Sequence, residues 1–181
     1  MKQLTPIVGN QDHSWGNPMA NVEVVEYGDY ECPYCGRAYT IVKRIKSELG
    51  DSIRFVFRNF PLTKIHPHAF MAALATEAAS RHGKFWEMHD LVFENQRRLT
   101  DERINLLAHQ LGLDPDRFKH DLQDAVLIDK VKFDFDSGIR SGVNRTPTFF
   151  INGEKYEGNW DNDQLVEHLR DLVAIYPVSA E

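Results

Sequence analysis

No run of this sequence approaches the ~18 apolar residues of a membrane-spanning helix, and its opening stretch, MKQLTPIVGNQDHSWG, holds no apolar segment of the ~7–15 residues found in export signals. The expectation is a cytoplasmic protein, or a periplasmic or otherwise extracytoplasmic one if a leader has been removed. Basic blocks are missing too. With 21 Lys and Arg against 27 Asp and Glu, the formal charge is -6, and no local positive footprint exists for neutralising phosphates. Neither a nucleic-acid partner nor a membrane span is expected. The chain also lacks a phosphate-binding glycine loop, a Ser/His/Asp arrangement and a hydrolase-like carboxylate pair, so no cofactor is implied. Cysteine is the scarcest residue: Cys32 and Cys35 are the only two in 181. That excludes a disulfide-stapled scaffold, and a bridge across two residues would close a loop too small to stabilise much.

What is present is an alternation of strand and helix patterns. The chain is 42% hydrophobic, enough for a core in one domain. NVEVVEYGD (21 to 29) is rich in β-branched residues and reads as a strand. From Pro33, Cys35, Ala38, Val42, Ile45 and Leu49 recur at three- and four-residue steps up to Gly50, the pattern of an amphipathic helix. SIRFVFRNF (52 to 60) is the next strand, completing a βαβ unit with parallel strands. Residues 61 to 142 then read as successive helices, among them an alanine-rich one (67 to 82) and one capped by Thr100. TPTFFING and EKYEG form a hairpin around Asn152-Gly153, and a last helix follows Asp161, which stands three residues before Gln164 as in a capping box. The expected fold class is α/β: a single domain over 1–181, with a βαβ…ββα sheet core (20–60 and 143–176) and a helical insertion (61–142).

The two cysteines stand at the entrance of the first helix, separated by Pro33 and Tyr34. A thiolate, not a thiol, attacks a disulfide, and an ordinary cysteine has a pKa of ~8.5. Unpaired N–H groups at a helix N-terminus favour an anion by up to ~2 kcal/mol in partly buried geometry. Asp29 and Glu31 oppose this, each by at most ~1 kcal/mol if exposed and screened. The expected division of labour is attack by Cys32 and release by Cys35 from the apolar face.

VVEYGDYECPYC, followed far downstream by GVNRTPTFFINGEKYEG, resembles the DsbA-like branch of the thioredoxin fold, from about Val22 to Val173. The resemblance implies a thiol-disulfide oxidoreductase. Its nucleophile would be Cys32, its resolving thiol Cys35, and its cis-proline Pro147. Thr146 would pair its backbone with a substrate segment, with Pro33 and Tyr34 beside it. Glu26 matches the family's buried acid and would take the Cys35 proton. Partners would be protein thiols and disulfides, glutathione or a redox partner protein. The Pro-Tyr dipeptide is the one familiar from glutaredoxins, and Thr146 replaces a common valine, so oxidant strength is left open.

Two other readings stand beside this one. Cys32, Cys35, His66 and His68 supply four metal ligands on paper, although the two histidines are spaced by only two. A peptide- or glutathione-binding module on the same fold would leave the thiols incidental. Trp86, Trp160, Phe149 and Phe150 are assigned to the core.

Overall fold

The computed structural model describes residues 2–161 and 163–177. Among them the elements are β1 (His13–Gly16), β2 (Glu23–Gly28), α1 (Pro33–Leu49), β3 (Arg54–Asn59), α2 (Ala69–Ser80), α3 (Phe85–Glu94), α4 (Asp101–Gln110), α5 (Pro115–Asp121), α6 (Ala125–Arg140), β4 (Thr148–Ile151), β5 (Glu154–Lys155) and α7 (Gln164–Ile175). They form two compact units. The sheet unit takes the chain up to Gly28, Arg37–Arg58 and the chain from Ser137 onward; the helical unit takes Asp29–Gly36 and Asn59–Asp136. The first turn of α1, with both cysteines, thus groups with the helices.

The sheet unit carries five strands in the order β1-β3-β2-β4-β5. β2 and β4 run antiparallel, with Glu26 opposite Phe149 and Tyr27 opposite Thr148. The glutamates of β2 suggest a strand with one wet face, but from Val24 to Gly28 every residue is buried, as is every residue of β3 from Phe55 to Asn59. Glu26 and Arg58 are therefore buried as well. Arg58 meets the cost by using its whole fork: Nε and Nη2 donate to Asp12 at 2.8 and 3.0 Å, Nη1 to the Tyr27 hydroxyl at 2.9 Å, and the carbonyls of Pro6 and Ile7 accept the remainder. This ties the polar lead-in to the sheet.

That lead-in contains β1, which periodicity does not reveal because it is a four-residue edge strand. It pairs antiparallel with β3, and Trp15 stacks on Phe55 with ring centroids 4.9 Å apart. The β4–β5 turn has positive φ at both central residues, 49° at Asn152 and 81° at Gly153, as a tight hairpin requires. The cap position of the last helix falls two residues after Asp161. The cap position of α7 is Asp163 in a left-handed conformation, without a side-chain cap bond.

In the helical unit, Ala69, Ala72, Ala73, Ala75, Ala78 and Ala79 of α2 are all buried, since small side chains let helices approach closely. Thr100 accepts the N–H of Arg103 and Asp114 that of Arg117, capping α4 and α5. Beside α2 lies a buried polar cluster. Asp134 takes the main-chain N–H of Asn59 at 3.1 Å and Lys130 Nζ at 2.7 Å, and Asn59 Nδ2 donates to Glu77 at 2.9 Å. Burial is the largest influence on Asp134 and pushes its pKa up to about 6; Lys130 opposes this and Glu77 adds to it. The folded-state value lies above the ordinary one, so the contribution of this group to stability is complete in acid and is lost as pH rises through about 6. Denaturant midpoints should therefore show the parent losing up to about 3 kcal/mol between roughly pH 4 and 7 relative to Asp134→Asn, whose own profile lacks this component.

Candidate active site

The chain leaves β2 at Gly28 and enters α1 at Pro33, and the four residues between make the turn that carries Cys32. An aspartate in such a turn folds its side chain back onto the N–H two residues on, and Asp29 Oδ1 accepts the Glu31 N–H at 2.8 Å. The Cys32 N–H donates to the Asp29 carbonyl at 3.1 Å, and the Cys32 carbonyl accepts the Gly36 N–H at 3.1 Å, opening the helix. Cys32 thereby stands just ahead of the first helical turn and Cys35 one turn inside it. Cys32 keeps 5% of its surface exposed and Cys35 none, while Tyr34, between them, is 57% exposed. The Asp29 N–H donates to Cys35 Sγ at 3.4 Å.

The helical unit grips this turn from two sides. On one, Asp29 Oδ2 accepts the Leu62 N–H at 2.8 Å and meets His66 Nδ1 at 2.7 Å, while Glu31 Oε2 accepts the His68 N–H at 2.5 Å. The two acids are thus not the exposed, screened charges that the sequence suggests: both carboxylates are taken up by main-chain N–H groups. On the other side, Gln96 Nε2 donates to the carbonyls of Tyr30 and Cys32, each at 2.8 Å. Tyr30, fully buried, bonds its hydroxyl to His89 Nδ1 at 2.9 Å and packs its ring against Phe93, 4.8 Å between centroids.

His66 and His68 do not converge on the cysteines as ligands. His66 Nδ1 faces Asp29 and His68 Nδ1 faces Asp101 at 3.3 Å, and no group of three or more His, Cys, Asp or Glu of metal-holding geometry occurs among the described residues. Gln96, His89 and the Asp29–His66 pair are missed by reading the sequence for ligands and nucleophiles. Asp29 alone left a signal, as a turn former three residues before a helix entrance.

Three other expected site residues lie in the sheet unit. Glu26 is 3% exposed in β2, and Gly28 beside it is required, because a Cβ there would stand 2.4 Å from the Phe57 ring. Thr146 is buried, the Thr146–Pro147 bond is cis, and Thr148 Oγ1 donates to the Arg145 carbonyl at 2.7 Å where the segment enters β4. Phe149 and Phe150 are buried as assigned, whereas Trp86 and Trp160 are half-buried.

Comparison with known proteins agrees with this architecture. A family model described as thioredoxin matches residues 9–171. Among curated proteins, the Na(+)/H(+) antiporter NhaA 3 of Salinispora tropica is 42% identical over 162 residues, 90% of this chain but 25% of its own length. The chain thus spans about a quarter of the curated relatives it matches, and none of its described helices is long and apolar enough to cross a membrane. Among solved structures, BdbD from Bacillus subtilis superposes with a TM-score of 0.79 at 25% identity, over 91% of this chain and 94% of its own. The thiol-disulfide exchange protein alpha-DsbA2 from Wolbachia pipientis superposes with a TM-score of 0.78 at 20% identity, over 90% and 88% of the two chains. The fold is thioredoxin-like.

Gly36 makes the Gln96 clamp possible, since a Cβ at this position would lie 2.3 Å from Gln96 Oε1. Gly36→Ala gains up to ~1 kcal/mol of helix propensity but displaces an amide that makes two hydrogen bonds of ~0.5–1.5 kcal/mol each. Denaturation of the single and double variants should show Gly36→Ala costing about 1 kcal/mol in the parent and nothing, or a small gain, in a Gln96→Ala background.

Proposed function

The chain belongs to the thioredoxin family, and from that premise we propose that it is a thiol-disulfide oxidoreductase working through Cys32 and Cys35. The observation that carries this reading is the unequal placement of the pair: Cys32, at the helix entrance, is buried but for 5% of its surface, and Cys35, one turn further in, has none exposed. A thiolate at Cys32 is favoured by the positive N-terminal end of α1. It attacks a substrate disulfide, forming a bond from Cys32 to one substrate sulfur and releasing the other as a thiolate. Cys35, shielded from outside disulfides, then attacks Cys32 and releases the substrate. Running backwards, the same steps oxidise a dithiol. The substrates are protein thiols and disulfides or glutathione, with Pro33 and Tyr34 as contacts from the helical unit. The family resemblance assigns substrate contacts in the sheet unit to Thr146 and Pro147, and a share in proton transfer to Glu26. The proposal concerns the dithiol, not the transport named in antiporter relatives of which this chain spans a quarter.

Reductive assays on a protein disulfide should show turnover in the parent and none in the double Cys→Ser variant; equal turnover in both would refute the reading. Alkylation at neutral pH, mapped by mass spectrometry, should strike Cys32 first, and Cys35→Ser should accumulate mixed disulfides that Cys32→Ser cannot form. Preferential labelling of Cys35 would reverse the assignment. Glu26→Gln should slow the release step while leaving the first attack within about twofold of the parent, and unchanged rates for both steps would leave Glu26 without a part in the exchange.

A further inference from the structure

The main chain of Asp29 touches both cysteines: its carbonyl accepts the Cys32 N–H at 3.1 Å, and its own N–H donates to Cys35 Sγ at 3.4 Å. The side chain is 1% exposed and fully occupied, Oδ1 by the Glu31 N–H and Oδ2 by the Leu62 N–H and His66 Nδ1. A carboxylate only accepts, so His66 must present Nδ1–H to it. Cys35 has no exposed surface, so bulk water does not reach its sulfur, and a fixed N–H aimed at the sulfur is the kind of donor that can stabilise a negative charge there.

Resting on the oxidoreductase reading above, we infer that Asp29 and His66 are positioning residues for the second half of the exchange. The His66–Asp29 bond and the Leu62 N–H anchor Asp29 to the 61–66 loop and hold its main-chain N–H on Cys35, so that this sulfur can act as a thiolate inside the protein. The step they serve balances as follows. Cys35 gives its proton to a base before attack. Its thiolate then bonds to the Cys32 sulfur, the bond from Cys32 to the substrate sulfur breaks, and the substrate leaves as a thiolate that takes a proton from solvent. Cys35 is oxidised and the substrate sulfur is reduced. Cys32 makes its first attack from the helix entrance, and the Asp29 N–H donates to Cys35 and not to it. Removing the anchor therefore slows release but not attack, an asymmetry that general loosening of the fold would not produce.

Removing Asp29 orphans two part-buried N–H groups and invites misfolding, so the test acts through His66, whose side chain is 17% exposed. His66→Ala deletes the donor to Asp29; His66→Asn keeps an N–H near the Nδ1 position. Two rates are measured for parent and variants: alkylation of Cys32, and release of thionitrobenzoate from a Cys32 mixed disulfide prepared on the reduced protein. The equilibrium with glutathione is measured alongside. His66→Ala is expected to slow release by about tenfold while Cys32 alkylation stays within about twofold, and His66→Asn to recover release to within about threefold. Loss of a donor to the reduced sulfur should also favour the oxidised form by about fivefold, or ~20 mV towards a more negative potential. Unchanged release in His66→Ala, equal slowing of both steps, or no recovery in His66→Asn overturns this inference and leaves the exchange activity standing. A parent protein that releases no thionitrobenzoate overturns the oxidoreductase reading and this inference with it.

Discussion

The carboxylate of Asp29 holds together what a helix entrance alone would leave loose. Four residues separate the end of β2 from the start of α1, too few to build structure of their own, and the two cysteine sulfurs sit at and just beyond their far end. Asp29 closes this turn on itself through the Glu31 N–H and fastens it to the 61–66 loop through Leu62 and His66. Gln96 and the Tyr30–His89 pair fasten it again from the α3 side. A thiol at a helix terminus can take part in disulfide exchange only if the terminus keeps its geometry, and these contacts hold the turn at several points.

The same economy governs the sheet unit. Because β2 and β3 are buried along nearly their whole length, any polar residue in them must carry its partners inside. Arg58 solves this by drawing the N-terminal lead-in over itself, which converts a segment with little intrinsic preference into an edge strand and a set of carbonyl acceptors. In the helical unit the counterpart is Asp134, which takes the Asn59 N–H at the point where β3 hands the chain over to the helices. Burial raises its proton affinity, so this junction is held at some electrostatic cost at neutral pH.

Periodicity and local chemistry carried the element order from β2 onward. The span of α1, the hairpin at Asn152-Gly153 and the cap at Thr100 follow from residue type and spacing, because these preferences act within a few residues of chain. The CPYC motif and the downstream Thr-Pro-Thr pointed to the family for a related reason: they are short and local. What failed was also local in appearance. The Asp161 to Gln164 spacing looked like a capping box, yet the chain enters α7 through a left-handed Asp163 instead.

The sequence by itself determined which residues could do the chemistry: two cysteines one helical turn apart, with a helix beginning between them. Only the tertiary structure decided how they are held. Asp29 and Glu31 read along the chain as charges opposing a thiolate, and His66 and His68 as stray ligands. Segments more than thirty residues apart had to be packed together before His66 met Asp29, the His68 N–H met Glu31, and Gln96 met Cys32. Hydrogen bonds between distant residues depend on where helices pack, and packing is set by the whole buried surface, so no local pattern records them.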